Sequence, residues 1–272
     1  GHPLTGEVNV PMLVDAVDIP EVANTFHGGQ TDVIIDGEVY AFFTTLIGYH
    51  TKGDGLKQVE LIAKMPNPWT LQGPAGIISI PTYDWEKHGS IWDVRSEVNE
   101  GGTAVYGDDG SVFMVFSGSY YDGPEYKLGQ IKYLGGDPLD INNWEKKDTP
   151  ILDKSEEITG CGHASYSVDH EGNNWICYHA YVTGDTTMKG YGGGRRAFVE
   201  QYTANKDGVV IGNGSGHPAP LETEYTMSIN PMPLAEKISG FDKTGSYEAP
   251  ATEIRMTLNS LTATVNGAPK TL

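Results

Sequence analysis

The chain has 272 residues, 38% of them hydrophobic, and no apolar run of bilayer-spanning length, so a membrane-spanning helix is excluded while a sizeable core is available. Its formal charge of −18 opposes binding to nucleic acid, whose phosphates would be repelled, and to anionic membrane surfaces, whereas neutral ligands such as sugars remain open. Two cysteines, Cys161 and Cys177, are too few for a disulfide scaffold; on or beside neighbouring strands they either pair or stay as buried thiols.

The chain opens with Gly1-His2-Pro3-Leu4-Thr5-Gly6, which has none of the basic, apolar or cleavage regions of a signal peptide. Strand signals begin at residues 33–35, followed by the turn Asp36-Gly37 and residues 38–44; Asp-Gly between apolar runs is a strong hairpin signal. Residues 58–63 read as a third strand, stopped by Pro66-Asn67-Pro68-Trp69, and residues 75–80 as a fourth. A second unit repeats the pattern: residues 103–106, the turn Asp108-Asp109-Gly110, residues 112–117 and 129–133, and a segment closing at Trp144. The third unit runs through 164–168, the turn His170-Glu171-Gly172-Asn173, 175–179, 196–202, the turn Asn205-Lys206-Asp207-Gly208, and 209–211.

No segment sustains a 3.6-residue period. Repeated four-stranded units of roughly 40–70 residues predict an all-β chain, and a β-propeller in preference to a sandwich, because radially packed blades need no long edge strands. Glu100, in Asn99-Glu100-Gly101-Gly102, lies directly ahead of the second unit's first strand, where a glycine pair meets a strand and an acidic turn.

Five ordered motifs carry a family resemblance: Val98-Asn99-Glu100-Gly101-Gly102, Val115-Phe116-Ser117-Gly118-Ser119, Gly160-Cys161-Gly162-His163-Ala164-Ser165, Ile176-Cys177-Tyr178-His179-Ala180 and Gly194-Arg195-Arg196. In order and spacing they resemble the family 43 glycoside hydrolases, five-bladed propellers that include arabinofuranosidases, xylosidases and arabinanases. The stretch Tyr83-Asp84-Trp85-Glu86-Lys87-His88-Gly89 looks like the arabinofuranosidase-type branches. Two departures stand out: Gly102 occupies the place of the proline that family members keep, and Cys161 the place of the proline in Gly-Pro-Gly-His.

The resemblance implies roles residue by residue. Glu100 matches the general acid, which must be protonated beside the glycosidic oxygen so that the leaving sugar departs as an alcohol. Asp32, in Gln30-Thr31-Asp32-Val33-Ile34, matches a third carboxylate that orients the acid and raises its pKa by like charge, leaving Asp36 to the turn. Arg195 matches an arginine donating to substrate hydroxyls, with Arg196 on the other side of the strand; His163 and Ser117 complete the expected sugar contacts. His163 also matches a histidine near the propeller axis, often beside calcium, which an imidazole would contact through water.

The family's water-activating aspartate, in an Ala-Asp-Pro-like motif ahead of a Tyr-Tyr strand, has no counterpart, since neither Asp15 nor Asp18 has that context. Residues 1–6 instead resemble an Asp-Pro-Leu-x-Gly segment late in the second blade, so the chain is expected to supply roughly three and a half of five blades. Residues 1–240 read as the incomplete propeller. Residues 241–272 read as a linker and the opening hairpin of a further extracellular module, similar to copper-amine-oxidase-N-terminus-like domains. The expected activity is inverting hydrolysis of terminal α-L-arabinofuranosyl or β-xylosyl linkages in plant cell-wall polysaccharides by a secreted protein, with the base supplied by a complementary N-terminal segment or second chain. A carbohydrate-binding propeller without catalysis is the alternative.

Overall fold

The computed structural model describes residues 27–47, 56–68, 70–91, 94–184, 194–220, 225–231, 256–265 and 268–271. Two compact units are present, Gly1–Pro220 and Leu221–Leu272. In the first, the described residues form three four-stranded antiparallel blades with strands in sequence order: β1 (His27–Ile35) to β4 (Thr70–Ser79), β6 (Val94–Tyr106) to β9 (Trp144–Lys146), and β10 (Ile158–Val168) to β13 (Gly208–Ile211). Short β5 (Ser90–Ile91) pairs with β6, and β3 (Leu56–Asn67) pairs with β6 in parallel, which links the first two blades. The helix-free expectation holds among the described residues apart from two three-residue 3-10 turns, Asp84–Glu86 and Ile141–Asn143.

The first hairpin forms as its sequence predicts. Ile35 pairs with Glu38 across a two-residue turn in which Asp36 and Gly37 both take positive φ, 52° and 80°, the conformation that matches the twist of antiparallel strands. Two predicted strands prove to be the ends of longer ones. The strand expected at 103–106 starts at Val94, so Glu100 lies inside β6 and not ahead of it. The strand expected at 164–168 starts at Ile158 and takes in Gly160-Cys161-Gly162-His163. Both continue through glycine segments by β-bulges, which absorb extra residues that a period-two pattern cannot accommodate.

Blades pack face to face through two apolar layers. Val33, Phe42, Ile62, Met114, Phe116 and Trp144 close the first against the second, and Val105, Phe113, Leu128, Ile158, Ile176 and Tyr178 the second against the third. Burying each such side chain contributes roughly 1.5–3 kcal/mol, which fixes the register that brings β6 and β10 together. Between the first two blades a polar network is also buried. The Glu86 carboxylate, 0% exposed, accepts from Lys146 Nζ at 2.7 Å, Asn99 Nδ2 at 2.9 Å, Thr82 N at 2.5 Å and Tyr83 N at 2.7 Å, anchoring the residue that precedes Glu100.

The second unit has one three-stranded antiparallel sheet, β14 (Tyr225–Pro231), β15 (Met256–Val265) and β16 (Ala268–Thr271). Residues 225–231 therefore pair with the C-terminal hairpin, although the sequence reading assigned them to the propeller: a strand's partner is chosen by its hydrogen-bonding edge, which the linker-like composition after residue 240 does not reveal. Residues 1–26, including the 1–6 segment, Asp15 and Asp18, lie outside the described residues, as does the linker after Gly240.

Candidate active site

Glu100 is presented by a bulge. It pairs with Ser117 on β7 (Val112–Gly118), while Thr103 pairs with Val115, so Gly101 and Gly102 form the inserted arch. Gly101 has φ 66°, a conformation few residues besides glycine adopt readily. Three threonine and glutamate side chains of the first blade hold this arch. Thr31 Oγ1 donates to the Gly102 carbonyl at 2.7 Å, Gly101 N–H donates to Thr44 Oγ1 at 3.1 Å, and Gly102 N–H donates to Glu60 Oε1 at 2.9 Å.

On the other side the half-buried Glu100 carboxylate accepts a hydrogen bond from the Tyr126 hydroxyl. Tyr126 is fully buried; burial first, and then the Glu100 charge, raises its pKa well above the usual tyrosine value, so it remains a donor at neutral pH. Its ring stacks on His179 at 5.5 Å, and the His179 and His163 rings stack at 6.4 Å. Burial, then the Arg195 charge and His163, lower the His179 pKa from 6.5 to about 4, so the imidazole is neutral near pH 7. Arg195 Nη1 lies 3.4 Å from His179 Nε2, and its guanidinium lies 5.1 Å from the centre of the Tyr121 ring.

His163 reaches this cluster through strained backbone. Its φ is 51°, between register shifts at Gly162 and Ser165, and its Nδ1 would lie 3.2 Å from a Cβ placed on Gly101. The result is an acid, a buried phenol, two imidazoles and a guanidinium drawn from β6, the residue ahead of β8 (Lys127–Tyr133), β10, β11 (Asn174–Val182) and β12 (Arg195–Asn205). Such a set can protonate a leaving oxygen and donate to several hydroxyls around it.

The structure sorts the residues expected from sequence. Glu100, His163 and Arg195 converge. Ser117 is fully buried, and its hydroxyl accepts from His163 N–H at 2.8 Å, so it braces the His163 backbone. Arg196 is exposed on the face of β12 (Arg195–Asn205) opposite Arg195, following the alternation of strand side chains. Asp32 is also exposed, alternating with Thr31 and with Val33, which is 0% exposed; the side of β1 that meets the Glu100 arch carries Thr31 and not Asp32.

The carboxyl that the fold sets beside Glu100 is Glu60, fully buried on β3. Its Oε1 accepts from Gly102 N–H and from Thr44 Oγ1 at 3.2 Å, while Oε2 meets no donor among the described residues. Burial foremost, with the Glu100 charge adding to it, raises its pKa from 4.5 to about 8. Sequence reasoning passed over Glu60, Tyr126, Tyr121 and His179 as site residues. An acid inside the apolar run Val59-Glu60-Leu61-Ile62-Ala63 was a usable signal, since a buried carboxyl in a strand needs a reason.

Around His163 the donors are imidazole nitrogens and a phenol, and among the described residues no group of three or more His, Cys, Asp or Glu is placed to hold a metal. That set does not suit direct calcium binding, which requires an oxygen cage. Cys161, buried with its thiol pKa raised to about 12, and Cys177 are free thiols. A separate cavity of about 430 Å³ is lined by Lys132, Glu145, Lys147, Asp148, Lys206 and Asp207; both signs of charge mix there, and none of these residues belongs to the Glu100 cluster.

Residues 33–210 match the sequence model of the glycosyl hydrolases of family 43. The chain belongs to that family. Among curated proteins it is 35% identical over 123 residues to an extracellular exo-α-(1→5)-L-arabinofuranosidase of Streptomyces chartreusis, covering 44% of this chain and 35% of that protein. A protein of the same description from Streptomyces avermitilis is 39% identical over 123 residues, covering 43% and 24%. The matched stretch thus spans about a quarter to a third of the length of these relatives. Among solved structures, an α-L-arabinofuranosidase from Lactobacillus brevis superposes with a TM-score of 0.60 at 26% identity, over 73% of this chain and 58% of that one. A thermostable family-43 glycoside hydrolase superposes at 0.57 with 21% identity, over 71% and 60%. The family 43 fold is the five-bladed β-propeller, of which three blades stand among the described residues.

Proposed function

We propose that this chain carries the acid side of a glycosidase site acting on terminal α-L-arabinofuranosyl linkages, with Glu100 as the general acid. The observation that carries this reading is the convergence of Tyr126, His163, His179 and Arg195 on a glutamate held out by a glycine bulge. Glu100 gives its proton to the glycosidic oxygen as the bond to the anomeric carbon breaks, and the Tyr126 hydroxyl stabilises the carboxylate left behind. Arg195, braced by Tyr121, and His163 hydrogen-bond the sugar hydroxyls. The arabinofuranosyl substrate, in preference to β-xylosyl, is supported by the names of the Streptomyces relatives and by the Lactobacillus brevis structure.

In this reading the reaction inverts the anomeric centre, and the carboxylate that activates water comes from outside the described residues, by way of an N-terminal segment or a second chain. It would stand roughly 6.5–9.5 Å from Glu100. The protein works outside the cell, as the relatives described as extracellular do. An ion near His163 would be held through water.

The decisive test is Glu100→Gln assayed on aryl α-L-arabinofuranosides of graded leaving-group pKa. Loss of turnover should be roughly 10²–10⁴-fold for poor leaving groups and far smaller for good ones, which need no proton. Equal losses across the series would remove Glu100 from the acid role. Retained oligosaccharide binding with no cleavage of any substrate by the unaltered protein, even with all five blades present, would instead support a carbohydrate-binding propeller.

A further inference from the structure

Among the described residues, Glu60 is the one fully buried carboxyl in contact with the backbone of the Glu100 arch, and nothing in the acid chemistry above uses it. Four neighbouring strands supply the groups around it among the described residues. Across β2 (Glu38–Ile47) it pairs with Thr44, whose hydroxyl donates to Oε1; across β4 it pairs with Ser79, whose hydroxyl is committed to Asn99 Oδ1 at 2.7 Å. From β6 come Gly102 N–H and the Glu100 charge, and from β7 the thioether of Met114. The cation in the vicinity, Lys146 on β9, spends its hydrogen bonds on Glu86, Asn99 and the Ile80 carbonyl.

Oε1 thus has two donors and Oε2 none among the described residues, with a carboxylate and no contacting cation nearby. A charged carboxylate in such a place would forfeit the hydration of a full charge without replacement, while a protonated one keeps both hydrogen bonds at Oε1 and leaves only one neutral O–H unpartnered at Oε2, the smaller cost. Gly102 makes the seat possible. A Cβ there would fall 2.5 Å from Met114 Sδ and 3.1 Å from Glu60 Cδ, and a residue without an N–H could not donate to Oε1.

We propose that Glu60 is a positioning residue that acts as a neutral carboxylic acid, latching the Gly101-Gly102 arch from beneath so that Glu100 is held at the leaving oxygen. This rests on Glu100 being the acid, and it reverses the charge state expected of a supporting carboxylate. A neutral Glu60 leaves Glu100 free to become an anion as it gives up its proton; an ionised Glu60 sets a second negative charge under it and repels it. As pH rises through about 8 Glu60 therefore ionises, in the direction given by burial and by the Glu100 charge, and this repulsion sets in.

The test is a carboxyl ¹³C NMR titration of the full chain labelled in glutamate, with Glu60→Gln, Glu60→Leu and Glu100→Gln, alongside kcat on p-nitrophenyl α-L-arabinofuranoside. One glutamate should titrate near pH 8, vanish in Glu60→Gln and move to lower pH in Glu100→Gln. Glu60→Gln keeps an oxygen for Gly102 N–H and should retain kcat within about twofold near pH 7 while losing the wild-type decline above pH 8. Glu60→Leu removes the acceptor and should lower kcat by about 10- to 100-fold, as small misplacements of a catalytic group do, with KM little changed.

A Glu60 carboxyl titrating near 4.5, or one unmoved by Glu100→Gln, overturns the proposal. So does a Glu60→Gln variant that keeps the alkaline decline. The NMR titration needs no turnover: a protein that, with its complementary segment or partner chain present, cleaves no arabinofuranoside yet shows the coupled titration refutes the glycosidase reading and supports the latch.

Discussion

Replacing Glu60 by glutamine should change how stability depends on pH, by an amount the structure sets. Glu60 is fully buried, and burial followed by the Glu100 charge raises its pKa from 4.5 to about 8. The folded protein therefore keeps a proton that the unfolded chain has released, and stability falls as pH rises from 4.5 through 8, then levels off. At about 1.4 kcal/mol per pH unit, the whole displacement is worth about 5 kcal/mol, of which about 3.5 kcal/mol lies between pH 5 and pH 8. Glutamine is nearly the shape of the protonated acid and cannot ionise. At pH 5 the two proteins should unfold within about 1 kcal/mol of each other, since each buries one unpartnered polar group. At pH 8 the variant should be more stable by about 3–4 kcal/mol. Urea titrations followed by tryptophan fluorescence at pH 5, 6.5 and 8 measure this directly. A difference between the two proteins that stays constant over that range would refute the reasoning, because it would mean that Glu60 is ionised or hydrated in the fold.

His179 should act with the opposite sign: its pKa is lowered from 6.5 to about 4, so its contribution is present above pH 6.5 and is lost as pH falls toward 4, and His179→Phe should flatten the acid side of the unfolding profile relative to wild type. Gly162→Ala places a Cβ 2.1 Å from Tyr126 Cε1 and should push the phenol off Glu100, lowering kcat while costing roughly 1–3 kcal/mol of stability; a variant with unchanged kcat would remove Tyr126 from the site. Tyr126→Phe, which keeps the ring and loses the donor, should reduce kcat without the packing cost, and matched melting temperatures would confirm the separation. Lys146→Met leaves the Glu86 carboxylate buried without its cation and should destabilise by about 3–5 kcal/mol in denaturant titrations, mostly independently of salt.

Local signals carried much of this protein. The Asp36-Gly37 turn, the apolar run of 39–43 and the acidic turns of the later units reveal strands because turn chemistry and short apolar runs act between neighbours in sequence. The glutamate ahead of two glycines marks a candidate acid on the same footing, and the ordered motifs carry the family. Asp32 shows where that reasoning stops: its type and its place before a strand were right for a supporting carboxylate, yet strand alternation turns its side chain outward and gives Thr31 to the arch.

What the chain's order of residues determined by itself was the all-β class, the repeating blades and Glu100 as the residue to watch, since each depends on interactions within a few positions. Tertiary structure alone decided what surrounds Glu100. Thr44, Glu60, Tyr126, His163, His179 and Arg195 are brought there by the register of separate blades, and register is set by how apolar layers close against one another. Only that closure could bury Glu60 beneath a glycine with room for it, and burial, not residue type, is what makes it a neutral acid.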